Sequence, residues 1–402
     1  MSRNEDPGVD HRALAGVRVV ELGQLMAGPF AGTILAYHGA EVIKVEAPGA
    51  GDPVRDWRFV DDGTSLWWRS LARNKRCVTL DLRGDEGRAI ARRLIRRADV
   101  LLENFRPGTL ESWGLDPARL LAENPRLIVV RVSGFGQTGP HADRPGFAAV
   151  CEAAAGLRHL TGVPGEPPVR ANLSLGDSVA GLHAALGTLL ALRARERDGR
   201  GQVVDVAISE AVLNLLESVI PEAARGVVRG PSGTTITGVV PSNLYPCAGG
   251  EAVVIGANGE SLFRRLMEAA GRPDLARDPL LATNSGRVER QAEVDEAIAA
   301  WTRTLPAAEV EARLVQAAVP CAAIATPADL LANPHYRARG LFERFDLAGR
   351  ELVLPAIAPR LESTPGHTDF PGPDLGAHNR EVYAELGIDA AALAGLAARG
   401  VV

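Results

Sequence analysis

The chain has 402 residues, of which 46% are hydrophobic and 23% are charged. These values are typical of globular proteins and exclude a disordered or collagen-like chain, and the length suggests two or three domains. The 44 Lys and Arg residues against 49 Asp and Glu residues give a formal net charge of −5, so the chain does not have the basic surplus of a dedicated nucleic-acid-binding protein. The four cysteines lie far apart without a CxxC pair, which indicates neither a zinc site nor a disulfide framework.

No targeting or membrane-spanning segment is predicted. Residues 1–11 are polar and contain no apolar stretch of the signal-peptide type. The most apolar window, Val179–Leu192, is interrupted by His183 and is too short to span a bilayer, so it indicates a buried helix. We therefore expect a cytoplasmic protein without a membrane partner, since widely spaced cysteines also fit a reducing compartment.

Strand-like and helix-like segments alternate through the first half of the chain. Val17–Leu22 is a β-branched run, Phe30–Tyr37 has helical spacing, and Glu41–Glu46 is again strand-like. Strand, glycine turn, helix and strand form the pattern of a parallel βαβ unit. The later segments of this kind are strands at Cys77–Leu82, Asp99–Glu103, Leu127–Ser133 and Gln202–Val206 and helices at Glu86–Arg97, Asp177–Arg197 and Ser209–Leu216. The pattern predicts an α/β fold with a doubly wound, Rossmann-like parallel sheet, whose ligand crevice lies at the carboxyl ends of the strands.

The composition changes in the second half of the chain. Gly226–Gly238 is rich in glycine, serine and threonine and predicts a loop or linker. A strand at Ala252–Ile255 and helices at Glu260–Ala270 and Glu289–Arg303 then indicate a smaller α+β domain, and Gly349–Gly366 changes character again. The predicted divisions are a large domain over 1–220, a linker and small domain over 221–345, and a C-terminal return to the large domain over 346–402.

An aspartate opens the long predicted helix. Gly176 and Asp177 directly precede its apolar run. A helix N-cap is the simpler explanation for such an aspartate. The functional alternative is a carboxylate nucleophile at a helix start, with peptide N–H groups directed at it and a glycine beside it that lets a substrate approach. Spacing alone favours the cap, and only the surrounding sequence can favour the nucleophile.

Nearly the whole chain resembles one enzyme family, the class III coenzyme A transferases of the CaiB/BaiF type. The segments that carry the resemblance are LAGVRVVELGQLMAGPFAG from Leu14, GAEVIKVEAPGAGDPVRDW from Gly39, RNKRCVTLDL from Arg73, ENFRPGTLESWGL from Glu103, VSGFGQTGP from Val132 and LGDSVAGLHAALGTLLAL from Leu175. They occur in the family's order, which is more specific than any single motif. The family includes formyl-CoA:oxalate, carnitine and succinyl-CoA:dicarboxylate transferases.

The resemblance implies an interlocked homodimer and a nucleophilic role for Asp177, which would carry first the acyl group as an anhydride and then CoA as a thioester. It implies acyl-CoA as a substrate and no tightly bound cofactor or metal. Expected CoA contacts, whose basic groups suit phosphates, are Lys44, Arg55, Arg73, Asn74, Lys75, Arg76, Asn104, Phe105 and Arg106. A solvated basic turn is the alternative interpretation of residues 73–76. Expected substrate contacts are Met26, Arg170 and Gly176.

Departures from the family pattern leave alternatives open. Related 2-methylacyl-CoA racemases use a His–Asp pair where this chain has Phe147 and Ala148, and neither side chain can transfer a proton. The same departure removes a carboxylate that many transferases carry at Ala148, although Glu152 lies one helical turn on. A racemase-like enzyme and a catalytically silent CoA-binding subunit therefore stay as alternatives.

The expected substrates follow from finer similarities. Residues 238–243 and 255–259 resemble the branch that uses succinyl-CoA, and Arg170 is suited to hold a distal carboxylate. Met26 replaces the glutamine of the oxalate enzymes, which disfavours oxalate. The resemblance implies transfer of CoA from succinyl-CoA to a C4–C6 dicarboxylate such as itaconate, citramalate, malate or glutarate, with a carnitine-like or aromatic acid as the alternative.

Overall fold

The computed structural model describes residues 10–402, which form two compact units. The first consists of residues 10–157, 171–217 and 340–402, and the second of residues 158–170 and 218–339. Residues 158–170 thus cluster with the second unit, whereas the sequence analysis included them in the large domain. Most of the polar segment at 1–11, for which no signal peptide was predicted, lies outside the described residues.

The first unit is built on a six-stranded parallel sheet. Its strands are β1 (Arg18–Glu21), β2 (Glu41–Glu46), β3 (Lys75–Thr79), β4 (Val100–Glu103), β5 (Ile128–Ser133) and β6 (Val203–Ala207). Their order in the sheet is β3-β2-β1-β4-β5-β6. This order reverses between β1 and β4, which is the switch point where ligands bind in doubly wound folds. The predicted doubly wound parallel sheet is confirmed.

Both faces of this sheet are buried because successive strand residues point to opposite sides. Val19 packs on one face with residues of the Ala27–Tyr37 helix and the Leu175–Asp198 helix. Val20 packs on the other face with residues of the Asp85–Ile95 helix and the C-terminal segment. The apolar runs that predicted the strands therefore serve two hydrophobic cores.

The remaining elements of the first unit are short. Its other helices are Leu66–Leu71, Thr109–Ser112, Pro117–Glu123, Ala148–Ala154, Ile208–Leu213, Asn379–Glu385 and Ala390–Ala398, with a 3₁₀ turn at Pro53–Asp56. Two antiparallel strands, Phe342–Leu347 and Arg350–Pro355, pair with each other, as do the two-residue strands Val60–Asp61 and Thr64–Ser65. These elements lie between the strands of the sheet or follow its last strand along the chain.

The second unit has its own antiparallel sheet and core. Strands Ser242–Pro246 and Cys321–Ala323 flank the central strand Ala252–Gly256. Its helices are Val219–Ala223, Glu260–Ala269, Pro273–Ala276, Asn284–Glu289, Gln291–Thr302, Ala307–Gln316, Pro327–Ala332 and Pro334–Ala338, with 3₁₀ turns at Ala248–Gly250 and Pro279–Leu281; the short helix Leu157–Leu160 leads into it. Phe263, Leu266 and Val294 are fully or almost fully buried in its core. A smaller α+β domain is confirmed.

The Leu175–Asp198 helix, called the long helix below, is the one described helix long and apolar enough to span a membrane by length and composition. Half of its most apolar window is buried inside the protein. Gly181 allows it to cross the Ala27–Tyr37 helix closely, since a Cβ there would lie 2.8 Å from the Ala27 carbonyl oxygen. These contacts identify it as a core helix.

Candidate active site at the sheet switch point

A cavity of about 410 Å³ lies where strands β1, β4 and β5 end. Its wall includes the segment Gln24–Ala27 after β1, the segment Asn104–Pro107 after β4, and Val132–Gly134 at the end of β5. Asp177 and residues 142 and 144–147 complete much of the remaining wall. The cavity therefore occupies the switch-point crevice that the sheet order predicts.

Asp177 is the acidic side chain in this cavity wall. The long helix begins at Leu175, and its N-cap residue is Ser174, so Asp177 is the third helical residue. The N-cap explanation of Asp177 is therefore wrong, because the helix starts two residues earlier than the aspartate. A carboxylate in the first turn still benefits from the positive end of the helix dipole, which stabilises its ionised, nucleophilic form.

Gly176, which directly precedes Asp177, is bound by Glu152. The Gly176 N–H donates a hydrogen bond to Glu152 Oε1 at 3.1 Å, and Glu152 is only 3% exposed. A Cβ at Gly176 would lie 3.3 Å from both the Cα and the carbonyl oxygen of Ala148, so glycine permits this close approach. Glu152 thus lies on the same short helix as Ala148, where the carboxylate of many transferases is missing.

Cys151 lies in the same region, and the charge of Asp177 affects the pKa of its thiol. Burial, and next the charge of Asp177, raise the pKa of the Cys151 thiol to about 11. The thiol also approaches the carbonyl oxygen of Gly134 at 3.3 Å. It therefore stays protonated near neutral pH and behaves as a packing residue, in agreement with its prediction as a small buried hydrophobe.

The side chain of Asn104 clamps the loop after β1. Its Oδ1 accepts a hydrogen bond from the Gln24 N–H, and its Nδ2 donates to the Gln24 carbonyl oxygen, both at 2.7 Å. Gly23 makes room for the clamp, because a Cβ there would lie 2.5 Å from Asn104 Oδ1. Asn104 lines the cavity and its contact with CoA stays a prediction, while these hydrogen bonds give it a structural role.

Lys44 supports the same loop from inside the protein. Its fully buried Nζ lies 2.8 Å from Asp52 Oδ2 and 3.1 Å from Glu21 Oε1, and it donates to the Gly23 carbonyl oxygen. Asp52 in turn accepts the Leu25 N–H at 3.2 Å. Burial opposes the charged ammonium, but the charges of Asp52 and Glu21 outweigh it and raise the pKa of Lys44. These contacts show that Lys44 supports the loop, and its expected contact with CoA stays a prediction.

Lys75 and Arg55 are likewise interior cations. Lys75 Nζ lies 2.9 Å from Glu21 Oε2 and donates to the Pro29 carbonyl oxygen at 2.7 Å. Arg55 pairs with both carboxylate oxygens of Glu46, at 2.7 and 2.8 Å. Burial lowers the pKa of Lys75, although the charge of Glu21 partly offsets that effect. Their positions give no support to the expected CoA contacts.

Three further expected CoA contacts tie β3 to distant segments. Arg73 donates to the Pro355 carbonyl oxygen at 2.7 Å, and Asn74 donates to that of His367 at 2.8 Å. Arg76 forms ion pairs with glutamates of β2 and of the C-terminal segment. A solvated basic turn is also a poor description, because Arg73 and Asn74 are buried. These residues hold the returning C-terminal segment against the sheet.

Phe105 and Arg106 lie in the cavity wall, and their contact with CoA stays a prediction. Phe105 and Gln24 also line a neighbouring cavity of about 270 Å³, which lies against Arg83 and Trp113. Trp113 meets Phe105 edge to face, with ring centroids 5.0 Å apart. The sequence did not predict Arg83 and Trp113 as residues of a cavity wall. The available signal was that Arg83 follows β3 as Phe105 follows β4, since ligand crevices lie after strand ends.

The expected substrate contacts are divided between the two units. Met26 lines the cavity and Gly176 directly precedes Asp177. Arg170 belongs to the second unit, and its contact with a distal carboxylate stays a prediction. Arg144 also lines the cavity and stacks over the Phe135 ring at 5.2 Å, a position that the sequence analysis did not anticipate.

A doubly wound sheet with an aspartate in its switch-point cavity defines an α/β enzyme with a candidate carboxylate nucleophile. Residues 14–379 match the sequence profile of CoA-transferase family III. The chain belongs to this family and is a CoA-transferase, as the resemblance implied.

Several relatives are similar over nearly their whole length. Succinyl-CoA–D-citramalate CoA-transferase of Chloroflexus aurantiacus is 50% identical over 378 residues, covering 93% of this chain and 94% of the relative. The alpha subunit of succinyl-CoA–L-malate CoA-transferase from the same organism is 41% identical, covering 94% and 90%. A crystal structure of a CAIB/BAIF family protein from Brucella suis is 32% identical with a TM-score of 0.82, covering 93% of this chain and 99% of that chain.

Proposed function

We propose that this CoA-transferase moves CoA from succinyl-CoA to a small C4–C6 dicarboxylate. The observation that carries the proposal is the position of Asp177 in the wall of the switch-point cavity. The relatives support the substrates, since the names of both Chloroflexus proteins pair succinyl-CoA with a dicarboxylate. Citramalate is the first acceptor to test because that relative is 50% identical.

The proposed reaction uses Asp177 as the nucleophile. Its carboxylate attacks the thioester carbonyl of succinyl-CoA, the C–S bond breaks, and CoA leaves as a thiolate with a mixed anhydride on Asp177. The thiolate attacks the aspartyl carbonyl, which releases succinate and forms an aspartyl-CoA thioester. The acceptor carboxylate then displaces the thiolate to form a second anhydride. Thiolate attack on its acceptor carbonyl releases the new acyl-CoA and restores the carboxylate.

CoA has room along the edge formed by the strand ends. The Asp177 cavity and the neighbouring 270 Å³ cavity share Gln24 and Phe105, so the pantetheine chain is proposed to pass these two residues. Arg106 and Arg83 provide positive charge in the respective walls, and guanidinium groups bind phosphates well. CoA is therefore proposed as a substrate that contacts Asn104, Phe105 and Arg106, with no tightly bound cofactor.

The racemase alternative gains no support from the site. Phe147 and Ala148 line or adjoin the cavity at the place of the racemase base pair, and neither can transfer a proton. A catalytically silent subunit remains the second candidate because one similar relative is named as an alpha subunit. The cavity position of Asp177 favours the active enzyme over that candidate.

We further propose that the protein is a homodimer in the cytoplasm. Leu186, Leu189 and Leu190 form an exposed apolar strip along the long helix. Their spacing places them on one helical face, and a second copy would cover this face. A monomer at micromolar concentration in light scattering would contradict the homodimer.

Mass spectrometry after incubation with succinyl-CoA tests the reaction. Hydroxylamine or borohydride should trap an acyl or CoA adduct on the peptide that contains Asp177, and Asp177→Ala should form none. Asp198→Asn is the matched control, because Asp198 is an exposed aspartate at the other end of the same helix. No adduct with any of a panel of acyl-CoAs, despite measurable CoA binding, would favour the silent subunit.

A further inference from the structure

A third cavity, of about 360 Å³, lies against the Ala27–Tyr37 helix and the segment 355–358. We call it the apolar cavity, because most of its wall is hydrophobic. Its hydrophobic lining residues include Phe30, Ile34, Trp67, Leu71, Leu182 and Ile357. A volume of this size is within the range of pockets that hold small molecules.

Two polar residues in the wall of the apolar cavity, Thr33 and Arg73, are hydrogen-bonded to the chain. Thr33 donates its hydroxyl to the carbonyl oxygens of Pro29 and Leu71. Arg73 donates to the carbonyl oxygens of Ser70 and Pro355, both at 2.7 Å. A carboxylate placed in this cavity would have to displace those bonds, whereas a hydrocarbon chain would not. The cavity therefore suits an alkyl group.

Met26 is the one described residue that lines both the apolar cavity and the Asp177 cavity. Its side chain is partly buried and packs with Leu25, Phe30 and Trp67 against a small hydrophobic cluster. The thioether chain is unbranched and fills irregular space without a polar contact. Met26 therefore lies between the Asp177 cavity, where the acyl group is proposed to bind, and the apolar cavity, which suits an alkyl chain.

The backbone of this wall is firmly held. Leu25 adopts a left-handed conformation with φ of +64°, and its N–H donates to both Asp52 carboxylate oxygens at 3.2 Å. Lys44 fixes Asp52 in turn. On the other side, Met26 caps the Ala27–Tyr37 helix, with its carbonyl oxygen accepting the Phe30 N–H at 2.8 Å. These bonds hold the backbone on both sides of Met26, so the Met26 side chain is the part of the wall that a substitution changes.

We propose that Met26 sets the upper length of the acyl group by closing the Asp177 cavity against the apolar cavity. Shortening the Met26 side chain joins the two cavities and admits unbranched monocarboxylic acyl groups of six to eight carbons. The shorter the side chain at this position, the longer the acyl group that fits. This inference rests on the proposed function, because it requires the acyl group to be bound beside Asp177.

The test compares acyl donors with one acceptor. CoA transfer to isotopically labelled succinate is measured from succinyl-CoA, hexanoyl-CoA and octanoyl-CoA, for wild type, Met26→Leu, Met26→Val and Met26→Ala. The octanoyl-to-succinyl ratio of kcat/KM should stay near wild type in Met26→Leu and rise at least about tenfold in Met26→Ala. Met26→Val should lie between them and keeps the test valid if Met26→Ala fails to fold.

A refilling variant identifies the space used. Ala356 lines the apolar cavity, so Ala356→Phe added to Met26→Ala should return the ratio toward wild type. An unchanged ratio in Met26→Val and Met26→Ala, or a rise that Ala356→Phe leaves intact, would overturn the inference. The wild-type Asp177 adduct with succinyl-CoA separates the two proposals: if it forms while the ratio is constant, only the role of Met26 fails, and if it is absent, the proposed function fails first.

Discussion

The charged residues of the first unit occupy two contrasting environments around the same loop. Beneath Gly23–Met26, the cations Lys44 and Lys75 are fully buried and pair with Glu21 and Asp52. At the cavity wall, Arg106 is exposed, and its guanidinium donates a hydrogen bond to the uncharged carbonyl oxygen of Asp143 at 3.3 Å. The interior charges are neutralised by the chain, whereas the charge in the wall remains available to an anionic ligand.

The difference follows from position along a strand. Lys44 and Lys75 lie within β2 and β3, so their side chains point into the layer between the sheet and its helices. Arg106 lies three residues beyond β4, at the carboxyl edge of the sheet, where ligand crevices form. Burial demands an opposite charge, so the buried basic residues support the structure, whereas Arg106 lies where it is proposed to bind a ligand.

The largest expected effect is on the interior side of this comparison. Lys44→Met leaves Asp52 buried without its cation and should lower the free energy of unfolding by about 3–5 kcal/mol. Urea unfolding measures the loss. Arg193→Gln, which breaks the exposed pair with Glu196, is the control and should cost less than about 1 kcal/mol. Equal losses in the two variants would remove the distinction between interior and surface charges.

The next largest effect on stability is expected for Asn104, whose side chain holds the loop after β1. Asn104→Ala removes both hydrogen bonds to Gln24 and leaves partly buried backbone groups unpaired, which costs about 1–3 kcal/mol. The loosened loop should also slow formation of the Asp177 adduct. Thermal unfolding and quench-flow trapping measure the two effects. Wild-type adduct kinetics in a destabilised Asn104→Ala protein would show that the loop does not organise the cavity.

A substitution of Arg106 in the cavity wall should weaken substrate binding and leave the stability of the protein nearly unchanged. Arg106→Gln should raise the KM for succinyl-CoA about tenfold and change the free energy of unfolding by less than about 0.5 kcal/mol. The wild-type KM should also rise with salt more steeply than that of the variant. Arg200→Gln, an exposed arginine beyond the far end of the long helix, controls for the lost charge. Equal KM values for both variants would argue against Arg106 as a CoA contact.

A smaller, pH-dependent effect on stability is expected at the hydrogen bond between Cys77 and His378. His378 Nδ1 accepts the Cys77 N–H at 3.1 Å, and burial lowers the pKa of His378 despite the opposing charge of Glu381. Between that lowered pKa and about 6.5, the unfolded state binds more protons than the folded state. Stability should therefore fall as the pH is lowered through this window. Unfolding midpoints of wild type and His378→Asn at pH 8.0 and 5.5 measure it, and an identical pH dependence in both would contradict the assignment.

Sequence reasoning was most successful where a local pattern controls the structure. The β-branched runs at Val17–Leu22 and Glu41–Glu46 predicted β1 and β2 to within a residue or two, because burial on both faces of a parallel sheet selects such runs. Family motifs predicted Asp177 as the nucleophile, a role that stays a prediction, and Asp177 lies in the wall of the switch-point cavity. The cap interpretation differed from the observed N-cap, Ser174, by three residues. The CoA-transferase class was predicted from motif order alone.

By itself, the sequence determined the sheet-forming segments, the enzyme family and the acidic residue at the switch point. Each of these depends on short motifs whose residues are close along the chain. Tertiary structure decided which charges are structural: Lys44 meets Glu21 from another strand, and Asn74 meets His367 almost 300 residues away. It also decided that Met26 separates two cavities. Such contacts join distant segments, and their geometry depends on how the helices and strands pack, which local sequence patterns do not encode.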